Sequence, residues 1–124
     1  MTTQENIERT KQAYAAFGNA DVDGATRDMS DDIEWTVPGN SKISGTYRGK
    51  EEVLGFWMEL AGKSFTTEPH QFLGDGDTVV VLTTTHVDGE TAEQADVLTF
   101  EGDKLVKFRS ISDTALGERV WGTK

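Results

Sequence analysis

The spacing of apolar residues changes halfway along the chain, and this change constrains the fold more than any other feature. In the first half apolar residues recur at helical spacing, most clearly Val53, Phe56 and Leu60, which would share one helix face. In the second half they alternate with polar residues, and the segment 78–87 is rich in β-branched side chains. Helices followed by a run of strands are typical of an α+β domain, with the helices packed on one face of a curved antiparallel sheet.

The pattern predicts individual elements of a single domain over residues 1–124. Three helices are expected: one through Ile7, Tyr14 and Phe17, a short one through Val22, Ala25 and Met29, and one over Lys50–Ala61. Strands are expected at Ile33–Val37, Pro69–Leu73, Thr78–Val87, Ala95–Phe100 and Leu105–Ser112. The dipeptide Asp88-Gly89 predicts a tight hairpin turn.

Composition excludes several classes of function. Acidic residues outnumber basic ones 22 to 12, for a net charge of −10, which argues against binding to nucleic acid or to an anionic membrane. The chain has no cysteine, so disulfides, thiolate zinc sites, iron–sulfur clusters and a cysteine nucleophile are excluded. No apolar run approaches the ~20 residues of a membrane helix, and no signal-peptide pattern opens the chain. We therefore expect a soluble cytoplasmic protein.

The two histidines do not form a metal-binding pattern. His70 and His86 lie far apart and show no H-E-x-x-H motif, so no metal site is expected. The alternation of the strand 78–87 directs His86 outward. His70 follows Pro69, where the register of a strand is uncertain, and it stays a reserve candidate for a catalytic base.

Asp96 is the sharpest candidate for chemistry. The alternation of residues 95–100 places its carboxyl group on the same strand face as Leu98 and Phe100. A carboxyl group among apolar side chains has a raised pKa and can act as a general acid or base near neutral pH. The alternative is an aspartate that faces water at the edge of a strand.

Large apolar side chains would enclose a cavity or simply form the core. The predicted lining consists of Tyr14, Met29, Trp35, Phe56, Trp57, Leu98 and Phe108. A domain of this size needs about that many large side chains to fold, so any single one can equally be core. Hydroxyl groups predicted on the same side, able to hold an oxygenated ligand, are those of Thr83, Thr85, Ser110 and Ser112.

Several segments, in order, resemble SnoaL-like proteins of the nuclear transport factor 2-like superfamily, which includes ketosteroid isomerase. The segments are Tyr14–Phe17, Ala20–Gly24, Asp31–Trp35, Gly45–Val53, Gly74–Val81, Phe100–Leu105 and Arg109–Thr114. The resemblance implies a cone-shaped α+β barrel with a deep apolar pocket, and a homodimer formed through the outer face of the sheet. It also implies a small apolar or aromatic ligand and no cofactor.

The resemblance is incomplete at the residues that perform catalysis in the isomerase. Asp96 falls where the isomerase has the protonated aspartate of its oxyanion hole. However, the segment 35–40, which should hold the general base, has no carboxylate. The isomerase tyrosine aligns with Ala13, which leaves Tyr14 about 100° away around the helix. The sequence therefore does not predict a steroid isomerase.

Two functions remain open at this point. One is a cofactor-independent acid/base enzyme of the isomerase or polyketide-cyclase type, in which Asp96 and a second titratable group, His70, share the pocket. The other is a non-catalytic ligand-binding or dimerisation module of the same fold. Arg109 and Asp113 are predicted to face outward, at the dimer interface or in a surface ion pair.

Overall fold

A six-stranded sheet and four helices make up the computed structural model, which describes residues 2–124. The helices are α1 (Thr3–Gly18), α2 (Val22–Thr26), α3 (Gly49–Ala61) and α4 (Thr114–Trp121). The strands are β1 (Met29–Val37), β2 (Gly45–Arg48), β3 (Thr66–Asp75), β4 (Thr78–Val87), β5 (Glu90–Glu101) and β6 (Lys104–Ile111). The strand order is β2-β1-β6-β5-β4-β3, and the curved sheet does not close. The predicted α+β class is confirmed.

Hairpin turns connect the second-half strands. The β4–β5 turn consists of Asp88 and Gly89, whose φ angles of 50° and 81° lie in the left-handed region. This turn type matches the twist of the flanking strands and favours glycine at the second position. The register that it sets pairs Val87 with Glu90 and continues along the whole of β4.

The core lies between the helices and the inner face of the sheet. On β4 every second residue is buried, from Val79 to Val87. Helix α1 packs against β3 and β4, while α3 packs against β1 and β2. Val53 of α3 is fully buried in the same cluster as Ile33, Val79 and Val81. The inward residues of the sheet therefore meet the apolar faces of two helices.

Four features differ from the sequence prediction. Met29 begins β1 instead of ending the second helix, because it pairs with Leu105 of β6. The pairing of β1 with β6 is parallel, in a sheet that was predicted to be antiparallel throughout. Helix α4 and strand β2 were not predicted. Both are short, and only two residues of α4, Leu116 and Val120, are buried, so neither leaves a long apolar pattern.

No helix within residues 2–124 is both long enough and apolar enough to span a membrane.

Candidate functional site

An apolar cavity of about 140 Å³ lies between the helices and the inner face of the sheet. All four helices and five of the six strands contribute to its wall. Apolar lining residues include Ala13, Phe17, Met29, Trp35, Phe56, Trp57, Leu98, Phe108 and Trp121. Polar lining residues are Tyr14, Ser41, Thr67, Thr85, Gln94, Asp96, Ser110, Ser112, Asp113 and Thr114. The cavity is therefore a largely apolar space with a few polar groups, as small-molecule sites generally are.

Asp96 lies in the wall of this cavity and is only 3% exposed. In the register of the sheet it stands between Val81 on β4 and Ser110 on β6, both buried. Its carboxylate accepts hydrogen bonds from the hydroxyl of Tyr14 and, at 2.7 Å, from the side-chain amide of Gln94. Each carboxylate oxygen is thus bonded by a donor that itself lines the cavity.

Burial dominates the electrostatics of this pair. Loss of water raises the pKa of Asp96 from 3.8 to about 6, although the hydrogen bonds from Tyr14, Gln94 and Ser110 oppose this rise. Burial also raises the pKa of Tyr14 well above its usual value, and the negative charge of Asp96 adds to the effect. At neutral pH the phenol therefore keeps its proton, while Asp96 is mostly ionised and takes up a proton a little below neutrality.

Aromatic side chains form another part of the wall. Trp35 of β1 is paired in register with Phe108 of β6, and their rings stack with centroids 3.6 Å apart. Trp57 of α3 meets Trp35 edge to face at 5.7 Å, and Phe56 lies 6.1 Å from the Trp35 ring. These contacts join rings from two strands and one helix into one cluster.

The hydroxyl groups predicted to face the pocket occupy different places. Ser110 and Ser112 line the cavity, as does Thr85, whose hydroxyl donates to the carbonyl of Ala92 at 3.2 Å. Thr83 is fully buried on the same face of β4 but lies outside the lining. Its hydroxyl lies 3.0 Å from that of Thr67, which lines the cavity in its place.

The structure does not bring His70 to Asp96. His70 is exposed on β3, and its Nε2 atom lies 2.6 Å from the hydroxyl of Thr84 on the outer side of the sheet. The register of β3 shifts between Pro69 and Gln71, and alternation cannot be carried across such a bulge. His86 also lies outside the lining and bonds Glu68 at 3.3 Å. The hypothesis that His70 and Asp96 share one pocket is therefore wrong, because His70 lies outside the cavity.

Tyr14, one of the predicted lining residues, lies in the cavity wall, and its hydrogen bond to Asp96 was not predicted. The alignment puts the isomerase tyrosine at Ala13, about 100° around the helix from Tyr14, yet the hydroxyl of Tyr14 reaches Asp96. Ala13 lines the cavity as well, so two neighbouring residues of α1 share it. Gln94 was not predicted. The sequence does carry a signal for it, since Gln94 lies two residues before Asp96 on the same strand and therefore on the same face.

Asp113 caps a helix that the sequence did not predict. Its carboxylate accepts a hydrogen bond from the backbone N–H of Leu116 at 3.1 Å, at the first turn of α4. Arg109 is exposed on β6, between the inward-facing Phe108 and Ser110. Within residues 2–124 no cluster of three or more potential metal ligands occurs.

Comparisons with known proteins point to one fold and one family. A family profile described as the SnoaL-like domain matches residues 10–108. An uncharacterised protein of Mycobacterium tuberculosis is 25% identical over 131 aligned positions, which cover 98% of this chain and 99% of that one.

Solved structures agree with that match. A nuclear transport factor 2-like protein of Burkholderia pseudomallei is 28% identical, with a TM-score of 0.84 over 94% of this chain and 96% of that one. TerC, crystallised with polyporic acid, is 26% identical, with a TM-score of 0.84 over 95% of this chain and 98% of the other. A ketosteroid-isomerase-like protein of Kribbella flavida shares the fold at 14% identity, with a TM-score of 0.79 over 91% of this chain and 82% of that one.

Proposed function

The chain belongs to the SnoaL-like domain family, and from this premise we propose that it binds a small apolar molecule in its cavity and moves a proton on it without a cofactor. Asp96 is the group that would take and return the proton. The observation that carries this proposal is a single buried carboxylate, 3% exposed, in the wall of a largely apolar cavity.

The hydrogen bonds around Asp96 favour a general base over a hydrogen-bond donor. Tyr14 and Gln94 both donate to the carboxylate, so both stabilise its ionised form. Burial counteracts them and raises the pKa of Asp96 to about 6, which keeps the carboxylate basic enough to accept a proton near neutral pH. The oxyanion-hole role that the alignment with the isomerase suggests is therefore less suited to Asp96 than the role of base.

The proposed step is a proton transfer next to a carbonyl group. The C–H bond beside the carbonyl breaks, its proton forms an O–H bond on Asp96, and the electron pair moves onto the carbonyl oxygen. Where a C=C bond adjoins that carbon, return of the proton at the far end of the extended enolate gives an isomer, whereas return at the same carbon gives exchange. Either return restores the carboxylate. The aromatic wall would exclude water from the intermediate.

A related structure supports the small-molecule part of the proposal. TerC, which is 26% identical over 95% of this chain, was crystallised with polyporic acid. We therefore propose a small organic ligand for this chain too, and we propose that its site is the cavity beside Asp96.

We also propose that the protein is a homodimer joined through the outer face of the sheet. Leu82, Ala95 and Ile111 are paired in register across β4, β5 and β6, and so form one apolar row. Leu82 is 38% exposed and Ile111 is 54% exposed, which is high for large apolar side chains. A second copy of the chain would cover this row.

Exchange of α-protons tests the catalytic proposal without knowledge of the natural substrate. Cyclohexanone would be incubated with the protein in D₂O, and loss of its α-proton signal would be followed by NMR. We expect the wild type to exchange the α-protons faster than buffer alone. In Asp96→Asn this rate enhancement should fall by about 100-fold or more, the usual contribution of a general base. Glu93→Gln is the matched control, because Glu93 is exposed on the same strand and faces the other way.

A non-catalytic binding protein is the second candidate. It is favoured by the cavity lining, which within residues 2–124 includes no histidine, so Asp96 has no imidazole beside it in the cavity. Binding of cyclohexanone without faster exchange would support this candidate and overturn the catalytic one.

A further inference from the structure

Two of the three tryptophans of the chain have buried indole N–H groups that meet no acceptor. The Nε1 atoms of Trp35 and Trp57 are buried and have no hydrogen-bond partner within residues 2–124. An indole nitrogen is a donor only, and a buried donor without a partner costs free energy. Both residues line the cavity, so each unsatisfied donor belongs to a side chain of its wall.

The third tryptophan provides an internal comparison. Trp121 of α4 lines the same cavity, but its Nε1 donates to the backbone carbonyl of Glu59, at 3.4 Å. Trp35 and Trp57 pack against each other with their ring centroids 5.7 Å apart, so their two free donors occur within one aromatic cluster. The fold therefore satisfies the one indole outside this cluster and leaves the two inside it unsatisfied.

The cavity volume limits what can meet these donors. Cavities of about 150 Å³ with apolar walls hold benzene. A cavity of about 140 Å³ thus has room for one six-membered ring with a small substituent, but not for several fused rings.

The charge of the site limits the acceptor. Asp96 lies in the wall of the same cavity and is mostly ionised at neutral pH, since burial raises its pKa only to about 6. A second negative charge in a poorly hydrated cavity would be repelled strongly. A neutral acceptor oxygen therefore suits the cavity better than a carboxylate.

We infer that the indole N–H groups of Trp35 and Trp57 bind the carbonyl oxygen of a monocyclic ketone. This inference deepens the proposed function and rests on it, because it takes the cavity as the ligand site. The two indole donors would also stabilise the negative charge that develops on the carbonyl oxygen when the proton leaves, which Asp96 alone cannot do.

The test compares two probes of nearly equal shape. Cyclohexanone carries the acceptor oxygen, whereas methylenecyclohexane has a CH₂ group in its place. We expect the wild type to bind cyclohexanone about tenfold more tightly. In ¹⁵N-edited spectra the indole N–H signals of Trp35 and Trp57 should move downfield with cyclohexanone only, while that of Trp121 should stay in place.

Variants locate the acceptor site. Trp35→Phe and Trp57→Phe remove each N–H and keep an aromatic ring, and together they should reduce the preference for cyclohexanone to less than twofold. Trp121→Phe is the matched control. It also alters the cavity wall, so it can change the affinity for both probes, but it should keep the preference because the Trp121 N–H already has a partner. The spectra of the wild type keep the test decisive even if Trp35→Phe fails to fold.

Three results would overturn the inference. Equal binding of the two probes with unmoved indole signals would remove it and leave the proposed function standing. A preference that survives in the tryptophan variants would place the oxygen at a donor other than the two indoles. No binding of either probe would remove both the inference and the proposed ligand site.

Discussion

The hydroxyl of Tyr14 donates a hydrogen bond to the carboxylate of Asp96, a residue 82 positions further along the chain. This bond joins the first helix to the centre of the sheet and closes one side of the cavity. It also ties the protonation of the carboxylate to the position of α1. The chemistry proposed for the cavity therefore depends on both residues.

Replacement of Tyr14 by phenylalanine should raise the pKa of Asp96 further. Burial would still disfavour the carboxylate, but one of the hydrogen bonds that now lower its pKa would be lost. The pKa would be read from the carboxyl ¹³C signal of Asp96. Tyr47→Phe is the matched control, because the hydroxyl of Tyr47 donates to the carbonyl of Ile43 and not to Asp96. An unchanged or lower pKa in Tyr14→Phe would contradict the assigned bond.

The stability of the wild type relative to Asp96→Asn should fall as the pH rises from about 4 to about 6. Asp96 has a pKa of about 6 in the folded protein against 3.8 for the free group, so the folded state binds the proton more tightly in this interval. The stabilisation that Asp96 provides is fully present below pH 3.8 and is lost as the pH rises through about 6. Two pKa units correspond to a change on the order of 3 kcal/mol.

Urea unfolding of both proteins at a series of pH values measures this difference, and other carboxylates cancel between them. A difference that stays constant from pH 4 to 7, or that grows in favour of the wild type, would show that the carboxyl group is not held in the buried state described here.

Charges on the outer sheet face should separate the proposed dimer. Leu82→Asp with Ile111→Asp puts a carboxylate on both ends of the apolar row, in a chain that already carries a net charge of −10. Light scattering should give twice 13.6 kDa for the wild type and 13.6 kDa for the double variant. Met58→Asp is the control, since Met58 is 76% exposed on α3 and should leave the dimer intact. A wild-type monomer at micromolar concentration would refute the dimer.

Loss of the cap on α4 should weaken the cavity wall that this helix forms. Asp113→Ala removes the acceptor for the N–H of Leu116, and loss of such caps costs about 1 kcal/mol. Asp113→Asn keeps an acceptor and should be nearly neutral, so the pair separates the cap from the charge. Thermal or urea unfolding of the three proteins gives the comparison, and equal losses in both variants would argue against the cap.

The strands were predictable where the local pattern agreed with the tertiary structure. The bounds of β4 match the prediction at Thr78 and Val87, because β-branched residues alternate throughout and a strong turn follows. Met29 shows the opposite case, since its pairing with Leu105 decides its conformation and no local signal reports that pairing. Tertiary contact overrides a short helical spacing in this segment.

The site was predictable only in part for a related physical reason. Strand alternation gives the face on which Asp96 lies, because the period of a strand is two residues. The rotation of α1 is fixed by packing, such as the edge-to-face contact of Tyr14 with Phe72 at 5.8 Å, and alignment to a family cannot supply it. The bulge beside His70 interrupts the alternation of the strand, so the alternation cannot predict which face the His70 side chain occupies.

Titration of Asp96 in the wild-type protein tests its proposed role in proton transfer most directly. The carboxyl ¹³C signal, assigned by its loss in Asp96→Asn, would be followed from pH 3 to pH 9. We predict a pKa of about 6, raised by burial in the cavity wall. A pKa at or below 3.8 would mean a carboxylate that is solvated or paired, and would contradict its role as the proton-transferring group.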